Sequence, residues 1–373
     1  MKHLKYVIFS VVISLMAVSC YEGIDPISPV DPGPDAAAPV ITIKYPNQGT
    51  LIRVLEATVN INVDLEVTDD IELGNITLLM NGTEFARYND IGKNPAFRDF
   101  RRALIQRTFN NLPNGPHVFR VVATDLSGKS TTREVTFEKI APYAPMFPGE
   151  VFYMPFDGEY LELISLQSAT RVGSPGFAGI GVKAGGNSYA GATDSYLTFP
   201  TAGLLGPEFS ASFWLRVNAV PNRAGILVVG PPDPANPTSM NIRTSGFRFF
   251  REAAGANQRF KLNVGRGTDE SWFDGGAAAD VDPTTNQWVH FAFTISPTQC
   301  VVYINGNVAS QGSFTGISWT ECDLLSIMSG APRFAGWGHL SDRSFMDELR
   351  LFNKALTPAE IQTIRNYDSG VVK

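Results

Sequence analysis

The chain has 373 residues, a length that predicts two or three domains. It contains 34 Gly, 25 Pro and 25 Phe but few helix-like stretches, a composition that favours all-β structure. The net charge of −6 at pH 7 argues against binding of nucleic acid, which needs a surplus of Lys and Arg.

The first residues have the pattern of an export signal. A basic start, Met1–Lys5, precedes an apolar run from Tyr6 to Met16. That run is shorter than the ~20 apolar residues of a membrane-spanning helix. Cys20 follows Ala17-Val18-Ser19, which resembles a lipobox, although such signals usually carry leucine at the place of Ala17. We predict a lipoprotein signal peptide over residues 1–19 and lipidation of Cys20; the alternative is ordinary signal cleavage.

Residues 20–37 are rich in Pro, Asp, Gly and Ala and have almost no large apolar side chain. Such a composition is typical of a semi-rigid tether. It would hold a folded region away from a membrane. We therefore expect an outer-membrane lipoprotein exposed at the cell surface, and the periplasmic face remains an open alternative.

Residues 38–140 alternate between apolar and polar side chains, most clearly over Val59–Val67. Asn81-Gly82 and Asn114-Gly115 are hairpin turn signals. About seven such strands in about a hundred residues is the size of an immunoglobulin-like β-sandwich. The segment resembles the bacterial immunoglobulin-like domains of exported proteins, which implies a spacer.

A Pro-rich break at 141–149 separates this domain from a second one, predicted over residues 150–373. Its strand signals include Phe209–Val217 and Val301–Val308, the latter a hairpin around Asn305-Gly306. One helix is predicted near the end. Thr357 is the N-cap, Pro358 occupies the first turn and Glu360 completes a capping box, so the helix should run to about Asn366.

Four segments in order resemble the laminin-G-like, concanavalin A-like lectin/glucanase superfamily: Phe209–Leu215, Gln287–Phe293, Val302–Gly306 and Met346–Ile361. The resemblance extends from about Val151 to Tyr367. It implies a jelly-roll β-sandwich of two curved antiparallel sheets. The predicted fold class is therefore all-β, with an immunoglobulin-like sandwich followed by a jelly roll and a short C-terminal helix.

A retaining glucanase of this architecture needs two carboxylates about 5 Å apart on one sheet face. Asp347 and Glu348 are adjacent in a predicted strand, so we expect them on opposite faces. Asp269 and Glu270 lie in a Gly-rich polar stretch, and the spacing of Glu159 and Glu162 does not suit a strand pair. We predict that the protein is not an enzyme, and a glycoside hydrolase is the less favoured alternative.

In calcium-binding relatives, an aspartate after the first strand and oxygens near the last Asp-Glu strand share a Ca²⁺ ion. Asp157 and Asp347 are the matching positions here. The resemblance thus implies a structural calcium site. The alternative is that Asp157 closes a turn and Asp347 accepts backbone hydrogen bonds.

Glycan recognition uses aromatic rings that stack on sugars. Trp272 and Trp337 lie among small polar residues, so we predict that they form the binding platform; the alternative is that each folds over its own domain. Trp214 and Trp288 lie in strand segments and are predicted core residues. The predicted polar partners are Arg333, His339, Asp342 and Arg248.

Together these features predict a surface lipoprotein that binds a polysaccharide or oligosaccharide through its C-terminal jelly roll, for delivery to a glycan transport complex. The alternative is an adhesin or scaffold that makes protein-protein contacts. Cys300 and Cys322 form either a disulfide or two buried thiols, and the sequence leaves both open.

Overall fold

The computed structural model describes residues 33–97 and 99–370. Contacts divide this part of the chain into two compact units. The first contains the described residues up to Ile52 together with Thr58–Lys139, and the second contains Arg53–Ala57 and Ile140 onward. The predicted signal peptide, Cys20 and most of the tether lie outside the described residues.

The first unit is built from two antiparallel sheets around one apolar core. Its strands are β1 (Val40–Tyr45), β2 (Leu51–Arg53), β3 (Thr58–Thr68), β4 (Leu73–Met80), β5 (Thr83–Tyr88), β6 (Arg102–Pro113), β7 (Gly115–Asp125) and β8 (Ser130–Ile140). The sheet orders are β1-β3-β6 and β2-β8-β7-β4-β5. In β3 the alternate residues Val63, Leu65 and Val67 are fully buried, as the two-residue period predicts.

The second unit is also formed of strands, with one short α-helix. Its strands are β9 (Glu150–Met154), β10 (Thr170–Val172), β11 (Gly176–Phe177), β12 (Tyr189–Ala190), β13 (Tyr196–Pro200), β14 (Phe209–Arg216), β15 (Arg223–Val229), β16 (Phe247–Ala254), β17 (Asn257–Gly265), β18 (Glu270–Asp274), β19 (Asp280–Val281), β20 (Trp288–Ile295), β21 (Gln299–Ile304), β22 (Asn307–Ser313), β23 (Leu324–Ile327) and β24 (Phe345–Phe352).

These strands form two eight-stranded sheets. Sheet I has the order β10-β13-β23-β15-β16-β17-β18, with β19 paired to β17. Sheet II has the order β11-β12-β24-β14-β20-β21-β22, with β9 paired to β24. A large apolar cluster, which includes Phe213, Phe249 and Phe291, fills the space between them. The all-β fold class with a jelly-roll sandwich is confirmed.

The helix, α1 (Pro358–Asp368), begins as the sequence predicts. The Glu360 backbone N–H donates to Thr357 Oγ1 at 3.2 Å, and the Thr357 N–H donates to Glu360 Oε2 at 2.9 Å. This capping box satisfies two backbone donors that the first turn leaves without partners. Ile361 and Ile364 are buried against sheet II residues such as Val301, so the apolar face of the helix packs on that sheet.

Candidate functional site

The outer face of sheet I carries a mixture of aromatic and charged side chains. Along β16, Phe247 and Phe249 point into the core, so the residues between and after them, Arg248, Phe250 and Glu252, lie on the opposite face. The register continues this face across the sheet, because Phe250 pairs with Lys261, which pairs with Asp274.

A second row crosses the same face one residue pair away. Arg248 pairs with Asn263, and Asn263 pairs with Trp272. Trp272 therefore stands on the last strand of the sheet path, β18, with its ring on the outer face. Its side chain is 42% exposed, which is unusual for so large an apolar group.

The loop of residues 330–340 covers part of this face. It closes on itself through Gly330 N to His339 O at 3.0 Å and Gly338 N to Ala335 O at 2.9 Å. A Cβ on Gly330 would lie 2.1 Å from His339 O, so the loop can close only with glycine there. The side chains of Phe334 and His339, which belong to this loop, are fully buried. Trp337 of the same loop is exposed.

Trp272 and Trp337 meet at the surface and rest on a buried aromatic layer. Their ring centroids are 5.9 Å apart and the rings lie within 12° of parallel. Phe250 meets Trp272 edge-on at 6.0 Å, and Phe334 meets Trp337 edge-on at 5.8 Å. His339 stacks on Phe334 at 4.8 Å. We call the two exposed rings, Trp272 and Trp337, the aromatic platform.

Charged and amide groups surround the aromatic platform. The Arg243 guanidinium lies over the Trp337 ring, 4.2 Å from its centroid, and Arg243 Nε donates to Glu270 Oε2 at 2.7 Å. Asn263 Nδ2 donates to the same Glu270 oxygen at 3.0 Å. With the Asn241 amide turned so that its oxygen faces donors, it accepts from Arg243 Nη1 at 2.9 Å and from Trp337 Nε1 at 3.0 Å. Both the stacked cation and the ring are therefore held in place.

A second polar group lies on the neighbouring row of the same face. Lys261 Nζ is 3.1 Å from both Glu252 Oε2 and Asp274 Oδ2. Burial opposes the charge of each carboxylate, but hydrogen bonds outweigh it and lower the pKa of both Glu252 and Asp274. A glycosidase acid must keep a proton near neutral pH, and these two carboxylates favour the ionised form. The arrangement suits hydrogen bonding to hydroxyl groups better than proton transfer.

Residues 191–362 match a family model described as the concanavalin A-like lectin/glucanases superfamily. The C-terminal domain belongs to this superfamily. We refer to it as the lectin-like domain. No curated protein matches the chain in sequence.

Two solved structures align with part of this chain at low identity. Domain 4 of AbnA, a GH43 extracellular arabinanase from Geobacillus stearothermophilus, in complex with arabinotriose, aligns with 18% identity and a TM-score of 0.45, over 58% of this chain and 98% of that one. The binding domain of botulinum neurotoxin DC in complex with SialylT aligns with 14% identity and a TM-score of 0.41, over 59% of this chain. This chain spans about half (52%) of the neurotoxin chain.

Three of the predicted polar partners in the lectin-like domain have other roles. Arg248 is completely buried, and its guanidinium donates to the carbonyls of Ile242, Arg243 and Ser245, so it fixes the loop below the platform. Asp342 is also completely buried, where it accepts from Arg251 Nε at 2.5 Å. His339 Nε2 lies 3.0 Å from Glu252 Oε1 under the platform. All three are fully buried, so none of them is part of the candidate contact surface.

Arg333 lies at the other end of the same loop. Its guanidinium donates to Asp323 Oδ1 at 2.7 Å and its side chain is 11% exposed. The structure thus brings Trp272 and Trp337 together and leaves Arg333 at the margin. Sequence reasoning missed Asn241 and Arg243, which lie in an irregular loop without a periodic signal. It did note Glu270, but only as an acid in a polar stretch.

The two aspartates proposed for calcium bond to the same surface loop of the lectin-like domain. Asp347 Oδ2 accepts from the Val182 N–H at 2.7 Å, and Asp157 Oδ1 accepts from the Asn187 N–H at 2.9 Å. Burial, followed by the charges of Glu348 and Asp157, raises the pKa of Asp347 to about 8. A cation beside these carboxylates would favour the ionised form.

The calcium site stays a prediction. Among the described residues, no group of three His, Cys, Asp or Glu side chains is placed to hold a metal ion. Asp157 and Asp347 would supply two carboxylates to a calcium ion, which needs six to eight oxygen ligands in all. Its chemical contribution would be to hold that surface loop against β24.

The acidic pair at the start of β24 departs from simple strand alternation. Glu348 has a φ of +54°, and the pairing of β14 with β24 shifts register there. The carboxylates of Asp347 and Glu348 consequently contact consecutive residues, Val182 and Lys183, so the expectation of opposite faces is wrong at this bulge. Glu348 also bonds to Tyr153 and Arg350, which makes it part of a buried ion-pair network.

Cys300 and Cys322 are buried free thiols, which is one of the two alternatives that the sequence left open. Cys20 lies outside the described residues. Within the described ranges, no helix is long and apolar enough to cross a membrane.

Proposed function

We propose that the lectin-like domain binds carbohydrate without cleaving it, and that the aromatic platform is the contact surface. The observation that carries the proposal is the pair of exposed, nearly parallel rings of Trp272 and Trp337 on a buried aromatic layer. Exposed rings offer flat apolar faces to the C–H groups of a sugar. The membership of the domain in a superfamily of lectins and glucanases supports the same conclusion.

The surroundings of the platform supply the polar half of such a contact. Glu270 and Arg243 lie beside the rings, and Lys261 with its two carboxylate partners lies on the next row. These groups hold one another in place, so a ligand would meet an ordered set of donors and acceptors. Because the surface is open, each contact would bury little area and single-site affinity would be modest.

We further propose that the chain is an outer-membrane lipoprotein, anchored through Cys20 and exposed at the cell surface, that captures polysaccharide for a transport complex. The support is the sequence of residues 1–37, with its signal pattern, Cys20 and Pro-rich tether. Anchored copies would engage one polymer at several points, which compensates for weak single contacts.

The decisive experiment is a glycan-array and affinity-gel screen of the chain from Tyr21 onward, with an assay for released reducing ends. We expect retention of one or more glycans and no release. Trp272→Ala and Trp337→Ala should each weaken retention by about 1–3 kcal/mol, the cost of removing an aromatic anchor. Phe177→Ala is the matched control, because Phe177 is also exposed but stacks on Tyr160 instead.

Release of reducing ends would show an enzyme. Retention unaffected by either tryptophan substitution would move the site elsewhere on the domain. Failure to retain any glycan across a broad panel would favour the adhesin or scaffold alternative, in which the same exposed rings meet a protein.

A further inference from the structure

A cleft of about 290 Å³ in the lectin-like domain is lined by neither ring of the platform. It is formed where β14 ends, where β24 begins and by the segment at residues 283–286. Its polar lining includes Arg216, Asn218, Asn286 and Arg343, and Phe345 forms part of its apolar wall. Two arginines therefore line one small space.

Arg216 and Arg343 differ from most basic residues of the domain, which pair with a carboxylate. Residues with a carboxylate partner are Lys183, Arg243, Arg251, Arg259, Lys261, Arg266, Arg333, Arg350 and Lys354. Neither Arg216 nor Arg343 makes an ion pair within the described ranges. Arg216 Nε donates to the neutral Asn286 amide at 2.6 Å, and its guanidinium lies 5.8 Å from the Phe345 ring centroid.

The acids nearest in sequence make contacts with other groups. Asp282 accepts from the Thr284 N–H at 2.8 Å and from Thr284 Oγ1 at 2.6 Å. Asp342, next to Arg343, is buried against Arg251. In a chain whose net charge is −6, two arginines without a carboxylate partner on one cleft are a local excess of positive charge.

Arg343 also connects this cleft with the loop that carries the platform. It lines a second cleft of about 220 Å³ together with Asp194, Val220, Gly338 and Leu340, so this second cleft also contains one acid. Gly338 directly follows Trp337 in the chain. Arg343 thus lines both clefts, and the second cleft is also lined by the residue that follows Trp337 in the chain.

We propose that the cleft of Arg216 and Arg343 binds the acidic group, a carboxylate or a sulfate ester, of an acidic polysaccharide. Arginine presents paired N–H donors that match the oxygens of both groups. This inference rests on the proposed carbohydrate binding and specifies its ligand class. The acidic group occupies the arginine cleft, and neighbouring sugar rings of the same polymer contact the aromatic platform.

The test compares three probes on the chain from Tyr21 onward: polygalacturonate for carboxylate, chondroitin sulfate for sulfate esters, and dextran as a neutral polymer. The variants are Arg216→Gln and Arg343→Gln. Arg171→Gln is the matched control, because Arg171 is an exposed arginine of β10 outside the cleft, without an ion pair in the described ranges. Arg343→Lys keeps the charge but loses the paired donors.

We expect an acidic probe to bind more tightly than dextran, and each Gln substitution to weaken that binding by roughly tenfold or more, as loss of a charged hydrogen bond does. Arg343→Lys should lose part of the affinity, and Arg171→Gln should change nothing. The acidic probe that is retained identifies the group. Tryptophan fluorescence unfolding, which reports on this domain because all five tryptophans lie in it, checks that the variants fold.

Two results would overturn the inference while the proposed function stands: equal binding of acidic and neutral polymers through Trp272 and Trp337, or equal loss of both kinds of binding in the Gln variants. Absence of binding to these polymers and to every glycan of the array would instead remove the proposed function, and this inference with it.

Discussion

The indole rings of Trp272 and Trp337 lie within 12° of parallel, with their centroids 5.9 Å apart, although one belongs to a strand of sheet I and the other to a loop. Each ring also has its own edge contact with a buried phenylalanine, Phe250 or Phe334. The orientation of one exposed ring therefore depends on the other and on the packing beneath, so the two act as one surface.

This coupling predicts that the two alanine substitutions are not additive. Trp272→Ala removes a neighbour of Trp337, so part of the loss caused by the second substitution is already present after the first. In a double-mutant cycle on glycan affinity, residues in contact show coupling of about 0.5–3 kcal/mol. Isothermal titration of the two single variants and the double variant measures it. Simple addition of the two losses would mean that the rings bind independently.

Arg243 is predicted to matter for binding through its position over Trp337. Its guanidinium is 4.2 Å from the ring centroid and is held by Glu270. Arg243→Gln removes a cation-π contact of about 0.5–2 kcal/mol and frees the ring. We expect weaker glycan binding and easier quenching of tryptophan fluorescence by acrylamide. Arg266→Gln is the control, since Arg266 pairs with Asp269 outside this contact. Equal effects of both substitutions would argue against a specific role for Arg243.

Several elements of the fold could be predicted from local signals in the sequence. Strand alternation, the Asn305-Gly306 hairpin and the Thr357 capping box are local signals, and they predicted the elements that the structure contains. The exposure of Trp272 and Trp337 followed from their small polar neighbours in sequence.

Arg248 shows where local reasoning ends. Its strand does place it on the outer face, but the segment at 242–245 folds over it and takes its donors. The pairing of Arg243 with Trp337 likewise joins two irregular loops. Contacts of this kind depend on loop conformation, and no period in the sequence reports on that.

His339 predicts how stability depends on pH. Burial lowers its pKa to about 4, although Glu252 acts in the opposite direction. A pKa below the unfolded value of 6.5 means that the unfolded state takes up the proton first. The stabilisation from neutral His339 is therefore complete above about pH 6.5 and falls towards pH 4, by at most about 1.4 kcal/mol per pH unit.

The substitution His339→Phe keeps a ring beside Phe334 and removes this titration. Between pH 7 and pH 4.5, the unfolding free energy from tryptophan fluorescence should decline less in this variant than in the original chain. His117→Gln in the first unit is the control and should leave the fluorescence transition unchanged, because no tryptophan lies in that unit. Parallel pH profiles of the original chain and His339→Phe would contradict the assignment.

The last prediction concerns the loop between Asp157 and Asp347. If Ca²⁺ binds these carboxylates, it binds the folded lectin-like domain and raises its unfolding temperature in proportion to the logarithm of its concentration above Kd. Asp347→Asn should abolish that increase. In the calcium-free protein, the raised pKa of Asp347, about 8, predicts that stability falls as the pH rises towards 8, and Asp347→Asn should remove this part of the pH dependence. Asp282→Asn, which alters an exposed acid bonded to Thr284, should leave the calcium response intact.

Fluorescence melts with added CaCl₂, MgCl₂ or EDTA provide the measurement. An increase that persists in Asp347→Asn would place the cation elsewhere, and no increase in any chain would leave Asp157 and Asp347 as acceptors for the loop amides of Asn187 and Val182.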